Sequence, residues 1–252
     1  MLCCVLLFSG FTSAQKPKSK LTKDFSYTIK GDGGTNASAV AWNPLRNLYV
    51  AVIAGNSEYP LEGFDSNGKK VFSTEANEDF RGLWFNPDTE YMEGNGPGEN
   101  GWFSFDIGED KFPGGSEFMI EGQYQPDFNS VGAYDFDEKE VIFFNTDNQS
   151  LSRYSSDDPD VMEETKLSSK GFNLNEINST SVGYTGKKGY EFVLLNFEKS
   201  KLCFFDRNGK LTKTSKIPSG AALNDSFAFA FTNDRLFLYD KVNRVWTAYK
   251  VF

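Results

Sequence analysis

The chain has 252 residues, a formal net charge of −9 and no histidine. The acidic balance argues against nucleic acid, whose phosphates need clustered Lys and Arg, and against anionic membrane surfaces. The missing histidine removes Ser-His-Asp and Cys-His nucleophile systems, His-ligated zinc or copper, and haem held by an axial His.

The chain opens MLCCVLLFSGFTSAQ. Leu2–Phe11 is an apolar run of signal-peptide length, too short to span a bilayer, and Thr12-Ser13-Ala14 is a small-residue cleavage site. A signal peptide over 1–14 and a secreted or periplasmic location are therefore expected, although the basic start of such a leader is missing. Cys3 and Cys4 would leave with it. Cys203, in the apolar stretch KLCFFD, then reads as a buried core thiol. Residues 15–23 contain KPKSKLTK, expected to be a basic, solvated linker with a mobile course.

From residue 24 onward the chain repeats itself. Each unit has an apolar strand, a short turn and a second strand: SAVAWN with LYVAVI, GLWFN with TEYME, VGAYDF with EVIFFN, TSVGYT with YEFVLLN, and FAFAFT with RLFLYD. A third strand follows, ending on Phe64, Phe105, Tyr154, Phe205 or Tyr249, at spacings of 41, 49, 51 and 44. Four units supply a fourth strand: KKVFST, SEFMIEG, DVMEETKL and LTKTSKI. In two of them the turn before it is nearly the same phrase, FDSNGK and FDRNGK, whose Gly suits the left-handed position of a hairpin loop.

The fifth unit stops after its third strand, and DFSYTIK at 24–30 is a spare strand before the first unit. If it pairs beside the last strand, five four-stranded units close into a ring with only short, protected edges. The expected fold is an all-β five-bladed β-propeller, a single domain over 24–252, closed by an N-terminal strand. The FDSNGK and FDRNGK hairpins resemble those of the β-propeller superfamily, in particular NHL-type repeats of exported bacterial proteins. That resemblance implies the fold and ligand presentation by loops, but no catalytic residues. NHL-type rings have six blades, and a sixth unit is missing here.

Propellers bind ligands where loops converge on the central channel. The loops leading into the five inner strands carry Asn36, Asp79, Asn129, Asn178 and Asp225, and Arg81 begins the second inner strand. These six are the candidate ligand-binding residues. Amides and carboxylates in a ring could hold hydroxyls or a cation such as calcium, but they also cap loops by bonding their own backbone. The acidic turns SSDDPDVMEE and DFDEKE read as solvated surface, with a calcium contact conceivable at the second. Trp42, Trp84, Trp102 and Trp246 lie on strands and are expected to pack the blades, the alternative being a sugar-stacking platform. There is no phosphate-binding loop and no dinucleotide fingerprint.

The expected function is that of a non-catalytic binding or scaffold propeller, a monomer without a cofactor or metal. Its mature chain would not insert in a membrane, and it would present the loop face to a protein or carbohydrate ligand. The alternative is a carboxylate-dependent glycoside hydrolase or lyase with two carboxylates at the channel mouth.

Overall fold

The computed structural model describes residues 15–29, 34–168 and 173–252. The expected leader lies outside the described residues. Within them the chain forms five four-stranded antiparallel sheets, the blades of a five-bladed β-propeller. Blade 1 is β2 (Asn36–Asn43), β3 (Leu48–Ala54), β4 (Pro60–Phe64) and β5 (Lys70–Glu75). Blade 2 is β6 (Gly82–Phe85), β7 (Met92–Asn95), β8 (Trp102–Phe105) and β9 (Glu117–Ile120). Blade 3 is β10 (Ala133–Asp135), β11 (Glu140–Asn145), β12 (Ser150–Ser155) and β13 (Met162–Lys166). Blade 4 is β14 (Val182–Tyr184), β15 (Phe192–Asn196), β16 (Lys201–Phe205) and β17 (Leu211–Lys216). Blade 5 takes β18 (Phe229–Thr232), β19 (Arg235–Asp240) and β20 (Val245–Lys250) from the end of the chain and β1 (Thr22–Thr28) from its start.

The closing strand runs antiparallel to β20, with Thr22 opposite Lys250 and Tyr27 opposite Trp246. The inner strands β2, β6, β10, β14 and β18 contact one another in a closed circuit around the axis. Successive side chains of a strand point to opposite faces. Each blade therefore feeds two cores, and the apolar residues form five layers, one between every pair of neighbouring blades. Tyr27 and Ile29 belong to the layer between blades 5 and 1, alongside Tyr49, Phe64, Phe237 and Trp246. Cys203 is buried between blades 3 and 4, and burial pushes its thiol up to about 12.

The basic stretch after residue 15 differs from the expected mobile linker. Lys18 N–H donates to the Val251 carbonyl at 2.8 Å, and Lys216 N–H donates to the Ser19 carbonyl at 3.0 Å. The Lys18 ammonium also reaches the Phe252 carbonyl at 2.8 Å. These bonds tie the outer strand of blade 4 to the end of blade 5. Composition reports the charges of such a stretch but not the backbone partners waiting for it.

The repeated phrase has a structural cause. In FDSNGK, Asp65 Oδ1 accepts the N–H groups of Asn67 and Lys69 at 2.9 Å each. In FDRNGK, Asp206 Oδ1 accepts those of Asn208 at 3.0 Å and Lys210 at 2.9 Å. Gly68 and Gly209 are both left-handed, with φ of 81° and 75°. A Cβ on Gly68 would meet the Ser26 carbonyl oxygen at 2.9 Å, and one on Gly209 the Lys166 carbonyl oxygen at 2.3 Å. Ser26 and Lys166 lie on the outermost strands of blades 5 and 3. Each hairpin therefore leans on the outer strand of the blade before it, where only glycine fits.

Two stability outcomes follow from these contacts. Deleting residues 24–29 uncovers the edge of β20 and removes Ile29, whose burial is worth about 1.5–3 kcal/mol. The expected result is aggregation or a large fall in melting temperature; a monomer with an unchanged melting curve would contradict ring closure. Alanine at Gly68 or Gly209 should cost about 1 kcal/mol or more by denaturant unfolding. The loss should be larger at Gly209, where the approach is closer.

Candidate functional site

The channel has two unlike ends separated by a stopper. Phe227 is buried and packs with Ala54 of blade 1 and Val131 at the start of blade 3. The Arg81 guanidinium of blade 2 lies 5.9 Å from its ring centroid. Its N–H donates to Thr180 Oγ1 of blade 4 at 2.7 Å. A residue of blade 5 can touch all four other blades only from the ring axis, so Phe227 blocks the channel.

On the loop side of the stopper lies a polar mouth. Asp79 Oδ1 accepts the Gly55 N–H at 2.6 Å and a short hydrogen bond from Arg81 Nη1. Arg81 is 6% exposed, and its Nε donates to Asn129 Oδ1 at 3.1 Å. The nearly buried guanidinium thus joins blade 2 to the loop of blade 3 and carries a fixed positive charge at the mouth. It spends one of its two Nη1 hydrogens and its Nε hydrogen. Among the described residues, Nη2 and Asp79 Oδ2 make no hydrogen bond.

The other expected site residues divide. Asn178 Oδ1 accepts the Thr180 N–H at 3.0 Å and the Ser181 hydroxyl at 3.1 Å, while its Nδ2 donates to the Asp225 carbonyl. Asn178 is spent on its own loop and on the backbone of the blade 5 loop at Asp225. The Asp225 side chain is exposed, and its carboxylate has no hydrogen-bond partner among the described residues. Asn36 opens β2, exposed to solvent. The structure therefore joins Asp79, Arg81 and Asn129 into one unit, links Asn178 to the backbone at Asp225, and leaves Asn36 apart.

Behind the mouth stands a residue that the sequence did not single out. Asn95 is fully buried and accepts the Gly132 N–H at 3.0 Å. It donates to the Ser130 carbonyl at 2.8 Å and to Gln125 Oε1 at 2.6 Å. This amide fixes the loop that carries Asn129. Nothing in the stretch MEGNGPGENG separates it from the glycine-rich rim around it.

At the turn end of the inner strands, beyond the stopper, all five blades surround a cavity of about 440 Å³. Trp42, Leu83, Trp84, Phe136, Tyr184 and Phe231 are among its walls. Trp102 and Trp246 pack the blades as expected, whereas Trp42 and Trp84 also face this funnel. The Trp84 indole N–H donates to Glu93 Oε2 at 3.0 Å. Glu93 is buried, which raises its carboxyl above the usual range against the pull of its hydrogen bonds to Trp84, Thr89 and Asn86. No group of three or more acidic or cysteine side chains is gathered as metal ligands would be among the described residues. The Asp135 carboxylate, in the turn where a calcium contact was conceivable, is fully buried and paired with Arg207.

Neither a protein-family model nor a curated protein matches this chain. Solved structures do. A gluconolactonase from Xanthomonas campestris is similar over 96% of this chain and 99% of its own, at 12% identity and a TM-score of 0.51. A structural-genomics protein of unknown function from Bacteroides thetaiotaomicron is similar over 95% of this chain and 74% of its own, at 11% identity and a TM-score of 0.50. At such identities the likeness is one of fold, and the fold is the β-propeller. The expectation of a non-catalytic scaffold is not borne out: the propeller similar over nearly the full length of both chains is a gluconolactonase, an enzyme.

The Arg81 contacts predict a stability difference within the mouth. Arg81→Met removes a nearly buried donor, leaves Asp79 with the Gly55 N–H alone and Asn129 Oδ1 without its guanidinium partner, and should cost about 1–3 kcal/mol. Asp225→Ala should fall within about 0.5 kcal/mol of the parent in the same denaturant titration.

Proposed function

We propose that the protein is a carboxylate-dependent hydrolase acting on a carbohydrate or carbohydrate-derived ring at the loop mouth. The observation that carries this reading is the Asp79–Arg81 pair. Asp79 is pinned through one oxygen by Gly55 N–H and Arg81, and its second oxygen is unengaged. A carboxylate held in this way can take a proton from water as that water attacks the substrate. Arg81 keeps N–H groups beyond those on Asp79 and Asn129, and a fixed guanidinium next to the base can stabilise the oxyanion that develops. Asp225, exposed and unpaired in the loop entering the inner strand of blade 5, is the second carboxylate of the loop face. With no histidine in the chain, acid–base work falls to groups of this kind. The stopper closes the channel below the reacting groups, so substrate and water approach from the loop side alone.

The gluconolactonase supports the substrate class, as a propeller of this fold that acts on a sugar lactone. The hydrophobic leader with its small-residue cleavage site supports export of the enzyme. The two Asp-x-Asn-Gly hairpins support kinship with NHL-type propellers.

The test is hydrolysis of glucono-lactone and of aryl glycosides by the purified chain and by Asp79→Asn. Asparagine retains an acceptor for Gly55 N–H and Arg81 but cannot take the proton. The expected outcome is turnover in the parent and a loss of about 100-fold or more in kcat for the variant, with melting nearly unchanged. Full turnover by Asp79→Asn would remove Asp79 from the mechanism.

A further inference from the structure

The funnel at the turn end is a built cavity that the mouth chemistry does not use. At about 440 Å³ it is the size of a small-molecule site. Its charge is one-sided. Apolar and aromatic walls come from every blade, Tyr184 and Phe231 of blades 4 and 5 included, while the charged groups, Lys187 and Asp234, come from blades 4 and 5 alone. The apolar wall is fixed before any ligand arrives, because the Trp84 indole is bonded to the buried Glu93, itself held by Asn86 and Thr89 at 3.0 and 2.9 Å. A preformed wall lowers the ordering cost of binding.

Lys187 Nζ and Asp234 Oδ1 are 3.1 Å apart, with side chains 30% and 39% exposed. The ammonium also lies 5.6 Å from the Phe252 ring centroid. An ammonium has three N–H donors and a carboxylate has several acceptor positions, so the pair retains capacity of both kinds.

We propose that the funnel binds a small neutral ring compound, with a flat apolar body against Trp42 and Trp84 and a hydroxyl at the edge facing Lys187 and Asp234. The charges on the rim decide the ligand's charge. They neutralise one another, so a charged ligand would leave a surplus charge in a largely apolar cavity and would shed its hydration to enter. A hydroxyl both donates and accepts. It can accept from Lys187 and donate to Asp234 without breaking the balance between them. The site stands on the far side of Phe227 from Asp79 and Arg81, so it is independent of the hydrolase reading.

Isothermal titration with three analogues of one shape tests this: 2-naphthol, 2-naphthoate and 2-naphthylmethylammonium, at neutral pH. The expected result is saturable one-to-one binding of the naphthol, about tenfold tighter than either ion. In Lys187→Met and in Asp234→Asn that preference should shrink to about threefold or less. Both positions are partly exposed and an exposed pair contributes about 0–1 kcal/mol, so both variants should melt with the parent. The proposal is overturned if the naphthol does not saturate, if either ion binds as tightly as the naphthol, or if the preference survives unchanged in both variants.

Discussion

The structure depends on one pairing, that of β1 with β20. Every blade buries apolar side chains on both faces, so every blade needs two neighbours. A row of five blades would leave two faces bare, and only a ring leaves none. The closing blade is shared between the two ends of the chain, with Tyr27 opposite Trp246 and Ile29 in the layer beside blade 1. The ring is thereby fastened by a strand pairing rather than by a loop, and the bonds of Lys18 and Ser19 extend the fastening to blade 4.

A five-bladed ring brings its inner strands close, and this sets the character of the channel. One phenylalanine suffices to stop it. Phe227 and Ala228 are both left-handed, at φ of 52° and 62°, although neither is glycine. Such conformations cost on the order of 1–3 kcal/mol each and persist only where the surroundings over-determine them. Here Thr180 Oγ1 accepts from Phe227 N–H, the Ala37 carbonyl accepts from Ala228 N–H, and the Ala228 carbonyl accepts from Tyr239 N–H. The strained pair turns a bulky ring onto the axis and divides one passage into a polar mouth and an apolar funnel. The two ends then have separate chemistry: an Arg-pinned carboxylate on one side, aromatic walls with a neutralised ion pair on the other.

The blades were legible in the sequence because their signals are local and repeated. Paired apolar strands, the aromatic at the end of each third strand and the Asp-x-Asn-Gly hairpins all recur, and the missing outer strand of the fifth unit pointed to its replacement at 24–30. Blade 2 was displaced. Its second strand, expected at 89–93, is Met92–Asn95. The turn is longer than the pattern suggested, because Asn86 N–H bonds the Tyr91 carbonyl and Glu90 takes a left-handed φ of 64°. At the mouth, the residue types before each inner strand were visible, but their partners were not. Asp79, Arg81 and Asn129 form one unit because a long guanidinium spans two blades, whereas Asn178 bonds its own loop and the backbone at Asp225. The funnel was not legible, since its walls are the same residues that pack the blades. The stopper was hidden too, because FAFAFT reads as a plain strand, with no glycine to mark two left-handed residues.

Amide hydrogen exchange across β1, followed as denaturant is raised below the unfolding transition, tests the closed ring most directly. In a ring fastened by β1, the bonded amides of Thr22–Thr28 exchange only with global unfolding, at the same free energy as the central amides of β3 and β19. Exchange of β1 through a separate, lower-energy opening, while the five blades stay protected, would show that the ring stands without its fastening and would contradict the account.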